Sequence, residues 1–328
     1  MIVQPLRTTS ISHNIVVLSF VAIIYFSLGY LGHKLAVAGT NSSPIWPAAG
    51  FALGALLLLG YRASFSVLLG CWGESAIRLQ EYAFDHPNIS IGMISFTMAF
   101  GAALQAVVAT LLIRRYIGSL NILEIPMTVI KFMFFGALSC LIGASIGILA
   151  QRMAGLTPWS DYLKYWLTWW LGDSGGVFVI TPLMLAWLGG YKFTIPYKIP
   201  YQSLLILILF LVISYINILT RAQFLYLFFP AVIWATCRFG FKGMTFGVLW
   251  TVSTITLETY KGAGYYVGPS LAESLLFVDL FIVVITATML ILTAELQQRA
   301  AVQTVWEGTP TGMQYTLKIK KYFWYKRK

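Results

Sequence analysis

Trp166-Leu167-Thr168-Trp169-Trp170-Leu171-Gly172-Asp173-Ser174-Gly175-Gly176, closing at Thr181-Pro182, places an aspartate inside a run that otherwise reads as membrane-spanning. At 100° per residue a helix here puts Trp166, Trp169, Trp170 and Asp173 on one side. Gly172 and Gly176 lie four residues apart, so a second helix can pack closely against them. A carboxylate in hydrocarbon costs at least a few kcal/mol, which makes Asp173 a functional candidate by default.

The surrounding composition fixes the setting of that run. Of the 328 residues, 59% are hydrophobic and 10% charged, and the mean hydropathy is +0.79. A soluble domain carries roughly 25% charged residues, so too little polar surface remains for a water-exposed fold. The apolar material recurs in blocks of about 15 to 25 residues, the length a helix needs to cross hydrocarbon. A transmembrane barrel shows alternation in segments of about ten instead. The expected fold class is therefore all-α, a polytopic transmembrane helical bundle.

The blocks run at about 15–31, 46–59, 63–79, 91–113, 127–150, 165–188, 204–218, 224–237, 244–257 and 275–292. Read singly they give about ten spans, or eight if the short eighth and ninth are a re-entrant pair. Residues 1–14 form a polar leader, 15–300 the membrane domain and 301–328 a short basic aromatic tail. Ala36-Val37-Ala38 resembles a signal-peptidase site, but the block before it is too long, so an uncleaved first span is expected. Both readings of the span count leave the two ends on one side. The positive-inside bias makes that side cytoplasmic. Arg7, Arg62, Arg114, Arg115, Lys192, Lys198, Arg238, Lys242 and Arg299 then lie inside, against Lys34, Arg78, Arg152, Lys164, Arg221 and Lys261 outside.

This orientation puts Asp173, Glu74 and Asp279 in the outer half of the bilayer, where Trp46 and Pro47 also enter. A polar, tryptophan-lined cavity open to the outside is the sharper reading. The blander readings make Glu74 a structural acid neutralised by Arg78 one turn away, Asp279 a late helix start, Asp173 a hydrogen-bonded packing residue, and the tryptophans interfacial anchors. Trp46-Pro47-Ala48 followed by Gly60-Tyr61-Arg62 is echoed by Phe229-Pro230-Ala231 followed by Arg238-Phe239-Gly240. The spacings differ, which favours chance or shared helix-start chemistry over duplication.

Enzyme chemistry has little to stand on. His13, His33 and His86 are isolated, and no HExxH, nucleophile elbow, P-loop or kinase set occurs. Cys71, Cys140 and Cys237 are far apart and read as buried thiols, with no metal spacing or disulfide framework. Neither metal nor cofactor is expected. The tail mixes Lys318, Lys320, Lys321, Lys326, Arg327 and Lys328 with Tyr315, Tyr322, Phe323, Trp324 and Tyr325. Tethered near a membrane, such a patch suits anionic lipid headgroups better than nucleic acid.

Asn41-Ser42-Ser43-Pro44-Ile45-Trp46-Pro47-Ala48-Ala49-Gly50 leading to Gly60-Tyr61-Arg62, the Trp166–Asp173 block with Gly176 and Thr181-Pro182, and Pro230 leading to Arg238-Phe239-Gly240 together resemble the first class of MASE-type domains. These are bacterial membrane-associated sensor domains of roughly 300 residues, and the resemblance covers about residues 15–300. It implies an inner-membrane sensory module that usually precedes histidine kinase, diguanylate cyclase or phosphodiesterase domains. It supplies no ligand. The residues after 301 carry no phospho-accepting histidine module and no GGDEF-like sequence. The expectation is a non-enzymatic sensor whose output partner is a separate protein or a missing C-terminal portion. Membrane lipids and a second copy of the chain are further expected partners. A transporter or channel using Asp173, Glu74 and Asp279, and a non-sensing scaffold, stand as alternatives.

Overall fold

The computed structural model describes residues 11–34, 43–83, 90–118, 121–156, 159–189, 200–220, 224–260 and 271–307. Every regular element among them is helical: α1 (Ile11–Lys34), α2 (Pro47–Leu59), α3 (Ala63–Ala83), α4 (Ile91–Tyr116), α5 (Pro126–Met153), α6 (Tyr162–Leu188), α7 (Pro200–Thr220), α8 (Phe228–Tyr260) and α9 (Leu271–Glu307), with three single 3-10 turns between them. The signal-peptidase-like Ala36-Val37-Ala38 and the tail from residue 308 lie outside the described residues.

Each apolar block of the sequence becomes helix, but the span count changes. Six described helices are long and apolar enough to cross a membrane: α1, α4, α5, α6, α7 and α9. The ten-span expectation is not supported: α2, α3 and the two limbs of α8 are not among the six. With 13 residues, about 20 Å, α2 falls short of a roughly 30 Å hydrocarbon layer. Blocks eight and nine run as the single element α8, broken at Gly240. Counting apolar blocks cannot separate a span from a half-length helix folded back on its neighbour.

Two such fold-backs give the bundle its plan. Pro47 opens α2, where its missing N–H costs nothing. Gly60 ends it at φ 90° and ψ 179°, a region only glycine occupies comfortably. The chain then returns as α3. In α8, residues 228–239 run to Gly240 at φ 58° and ψ −139°, and residues 241–260 return. A Cβ on Gly243 would lie 2.1 Å from the Ala235 carbonyl oxygen, and one on Gly247 would lie 3.1 Å from Val232 Cγ2. Contacts between residues so far apart in one straight helix are impossible, so the two limbs of α8 face each other. The echo between Trp46-Pro47-Ala48 and Phe229-Pro230-Ala231 thus has a structural counterpart: a proline near a short helix's start, then a positive-φ glycine, then a longer returning helix.

At the centre stands α6, packed against α2, α5, α8 and α9. Its most apolar window is 72% buried, against 22% for α1 and α7 at the margins. The closest approach is between α2 and α6, where glycine removes the side chains that would hold them apart. A Cβ on Gly50 would meet the Gly176 carbonyl oxygen at 2.0 Å, and one on Gly176 would meet that of Trp46 at 1.9 Å. Trp46 N–H donates to the Gly172 carbonyl at 2.9 Å, and the Thr181 hydroxyl to the Gly50 carbonyl at 2.8 Å. At its other end α2 is capped by Arg114 of α4, which donates to the Leu56 and Leu57 carbonyls at 3.1 and 3.2 Å. The Leu56 carbonyl also accepts from Gly60 N–H at 2.9 Å, while the Leu57 carbonyl lies in the last helical turn, where partners must come from elsewhere.

Candidate functional site

The α2–α6 crossing fixes which way the Trp166–Gly176 run faces. Gly172 and Gly176 meet α2, as their spacing predicts. Trp166 and Trp170 turn toward α5: their indole N–H groups donate to Ser145 Oγ at 3.0 Å and to the Ala137 carbonyl at 2.8 Å. Their rings stack on one another at 6.1 Å. Trp169 and Asp173, one turn apart, face a separate space.

That space is a cavity of about 60 Å³ enclosed by α1, α2, α3, α4, α5 and α6. Its wall includes Asp173, Trp169 and Gly172 from α6, Glu74 and Arg78 from α3, Trp46 ahead of α2, Gln105 from α4, and His33 from α1. A volume of this order admits a few water molecules or one small polar ligand. Asp173 is 4% exposed. The Gln105 amide donates to Cys140 Sγ at 3.4 Å, while Asp173 Oδ1 and Gln105 Oε1 are buried without a hydrogen-bond partner. Buried polar atoms are nearly always satisfied in folded proteins, so two orphaned acceptors beside one cavity mark a place for a donor.

Glu74 stands in a second polar cluster on the same wall. Its carboxylate lies 2.8 Å from His33 Nε2, and Ser75 donates to it at 3.3 Å. The sequence-local candidate, Arg78, is not the ion-pair partner; its guanidinium reaches Met98 Sδ at 3.9 Å. The reason is helix placement: α1 crosses α3 so tightly that a Cβ on Gly29 would lie 2.7 Å from Glu74 Cγ. The His33 ring in turn meets Trp46 edge-on at 4.7 Å. Histidine, glutamate and tryptophan from three elements form one contact chain.

Of the residues singled out in the sequence, Asp173, Glu74, Trp46, Trp169 and Gly172 come together at this cavity. Trp166, Trp170, Pro47 and Gly176 surround it as packing and do not line it. Asp279 is separate. It is 2% exposed on α9, with Oδ1 buried and lacking a hydrogen-bond partner, and it does not line the cavity. Cys71 and Cys140 are buried as expected, whereas Cys237 is exposed, because it lies near the turn of α8.

Sequence reasoning passed over His33, Gln105, Gly143 and Gly147. Gln105 carried a signal, a lone amide in a long apolar block. The glycines carried another, since Gly143 and Gly147 repeat the small-xxx-small spacing. A Cβ on Gly147 would strike the Trp169 ring at 2.7 Å, and one on Gly143 would strike Gln105 Oε1 at 1.9 Å. These glycines open the room that Trp169, Gln105 and Asp173 occupy.

Chemically the wall offers carboxylates, an imidazole and an amide in a nearly dry setting. Such a set can bind or exchange protons, or hold a small polar or cationic ligand. Among the described residues no group of three or more His, Cys, Asp and Glu side chains converges to hold a metal ion. Comparison with curated proteins and with solved structures finds no match. The family model for MASE1, a membrane-associated sensory domain, matches residues 17–300. That span holds the cavity, both fold-backs and all of the candidate membrane spans except residues 14–16 of the first, and the chain belongs to the MASE1 family.

Proposed function

We propose that the chain is the signal-input module of a bacterial inner-membrane signalling system, both ends facing the cytoplasm. Residues 1–14 are its leader, 15–300 its sensor domain and 301–328 its lipid-facing tail. The stimulus arrives from the extracytoplasmic or membrane side and acts at the Asp173–Glu74 cavity. Trp46, Trp169 and Gly172 shape that cavity; Pro47, Trp166, Trp170 and Gly176 hold its walls in register. Asp279 answers on α9 to changes in α6. The observation that carries this reading is that Asp173 and Glu74, on different helices, line one cavity. One of those helices, α6, packs directly on α9.

The route to the output is short. A Cβ on Gly175 would touch Ile282 Cγ2 at 3.6 Å, so α6 and α9 meet half a turn from Asp173. With 37 residues, α9 is roughly 55 Å long, well beyond the hydrocarbon thickness. A shift of α6 against α9 is therefore delivered as motion of the helix that leaves the membrane. The stimulus moves the equilibrium only in proportion to its unequal affinity for the two arrangements. The output partner is a histidine kinase, diguanylate cyclase or phosphodiesterase module; the working unit is a homodimer.

A diguanylate cyclase module grafted after Ala301 tests this. Asp173→Asn or Glu74→Gln should change cyclic di-GMP output by about threefold or more, as expected of a shifted two-state equilibrium. Ala294→Trp, in the buried face of α9, serves as a check that the graft responds to its helix. Output that follows Ala294→Trp and ignores both acid substitutions would sink the reading. The paired fold-backs also favour a second reading, transport, since transporters are commonly built from repeats around a site at mid-membrane. Asp173-dependent uptake of a cation into proteoliposomes would promote it.

A further inference from the structure

At the end of α5 a cation is buried without acceptors. Arg152 is 3% exposed, and its Nε and both Nη atoms are buried without a hydrogen-bond partner. Among the described residues no carboxylate forms an ion pair with it. Two rings do touch it: the guanidinium carbon lies 5.5 Å from the centre of the Trp159 ring and 5.7 Å from that of Tyr162. Rings attract a guanidinium to their faces, but they supply no acceptor to the five N–H groups that radiate in its plane. Arginine does not shed its proton to escape burial, and a desolvated charge without acceptors is costly to keep. We propose that Arg152 is the centre of a phosphate-binding site at the membrane interface, which takes the phosphate of a phospholipid headgroup or of a free phosphate ester. It is separate from the Asp173 cavity, whose wall does not include it.

Depth and chemistry choose the phosphate. With 28 residues, α5 is about 42 Å long. That matches the roughly 40–45 Å of a bilayer with its headgroups, so Arg152, next to the last residue of α5, lies at headgroup depth. Tryptophan and tyrosine gather at the same level. Met153, Trp159 and Leu163, neighbours along the chain, are exposed and offer an apolar rim on which an acyl chain can lie. Tyr162 opens α6, whose first turn holds no acid, and the partial positive charge of that helix end adds to the pull on an anion. The edge of the guanidinium fits two oxygens of a phosphate as a bidentate pair. A carboxylate fits the same fork, but burial drives it toward its neutral form, whereas a phosphodiester, a far stronger acid, keeps its charge. Trp159 is 66% exposed, so its ring can turn outward without leaving a packed site and uncover the donors.

The full chain, stripped of lipid in nonionic maltoside micelles, is melted with increasing dioctanoyl phosphatidylglycerol, dioctanoylglycerol, octanoate or glycerol 3-phosphate. A phosphate-bearing probe should raise the melting temperature saturably, by linkage to the folded state, and dioctanoylglycerol should not. The emission of Trp159, taken as the component missing from Trp159→Phe, should change over the same concentrations. Arg152→Met keeps the apolar stem and removes the donors. Without probe it should melt at or above the parent, because an unpaired buried charge is gone, and its affinity for the probe should fall at least about tenfold. Should that variant not fold, Arg152→Lys carries the test: a point charge without the fork should bind about threefold to tenfold more weakly. Binding of the parent by phosphatidylglycerol alone assigns the site to a lipid headgroup, and binding by glycerol 3-phosphate alone assigns it to a free ester. An unchanged affinity in Arg152→Met, or an equal gain from dioctanoylglycerol or octanoate, overturns the proposal. Asp161 is the nearest acid along the chain; a tenfold rise in phosphate affinity in Asp161→Asn would show the fork already filled from within, and would overturn it too.

Discussion

In the first fold-back a half-length helix is pressed onto the central helix by glycine-to-carbonyl contacts, and the cavity beside it is small and polar. In the second, the equivalent limb meets its own returning helix at Gly243 and Gly247 and α9 through Phe229 and Phe281, and the neighbouring cavity, between α7 and α8, is several times larger. The outer helices differ in the same sense: α1 packs on both α2 and α3, whereas α7 packs chiefly on α8. Tight backbone approach leaves little freedom to repack, so the α1–α3 side can hold two acids in fixed relation. The α7–α8 side is less tightly packed and encloses a larger cavity. One plan, held at two tightnesses, yields one small polar cavity and another that is larger and mostly apolar.

The largest expected effect breaks the tight side. Gly176→Leu cannot be accommodated, because even its Cβ would sit 1.9 Å from the Trp46 carbonyl oxygen. Backbone must separate from backbone, and a loss of more than about 4 kcal/mol is expected. Size exclusion in maltoside should show little or no folded protein. Gly243→Leu meets the Ala235 carbonyl just as closely, yet should leave a folded chain with a lowered melting temperature, since the α8 limbs can part without dislodging α6. Gly92→Leu, with nothing within 4 Å, is the neutral reference. Equal collapse of the Gly176 and Gly243 variants would mean that the two sides are held alike.

Next in size is the His33–Glu74 pair. His33→Ala leaves the buried Glu74 carboxyl without its imidazole partner, at a cost of about 1–3 kcal/mol. His33→Ala with Glu74→Gln should recover much of that loss, because an amide costs less than a carboxyl group to bury without the imidazole. Chemical denaturation of the four proteins of this cycle gives the coupling directly. Coupling near zero would make the pair a bystander and weaken the claim that α1 helps build the cavity.

How much of this was legible beforehand varies with the kind of signal. Helix placement was readable nearly everywhere, because apolar block length and Pro and Gly punctuation act locally. Gly172 and Gly176 announced a close helix contact, though not that α2 would fill it. Asp173 and Trp169 announced a polar face. What could not be read was anything set by a crossing. The i,i+4 neighbour Arg78 looked like the partner of Glu74, and the true partner comes from α1. Trp166 and Trp170 shared the aspartate's side of the helix on paper, yet small rotations send them to Ser145 and Ala137 instead. Hydropathy alone likewise left open whether the two limbs of α8 cross separately or form a re-entrant pair.

The smallest expected difference lies at the two fold-back turns. Arg114 reaches across from α4 to the last carbonyls of α2, and its guanidinium also covers the Tyr61 ring at 5.0 Å. Arg114→Met keeps the stem and removes the donors, so the Leu56 and Leu57 carbonyls lose two charge-assisted bonds. About 1–2 kcal/mol should follow. At the turn of α8 the neighbouring cation is Lys242, which lies 5.4 Å from the centre of the Trp187 ring. Lys242→Met removes a single cation–π contact and should cost about 0.5 kcal/mol. Parallel urea titrations of the two variants resolve the ordering. If Lys242→Met costs as much as Arg114→Met, the turn at Gly240 is braced as firmly as that at Gly60, and the looseness of the second side must come from α7 alone.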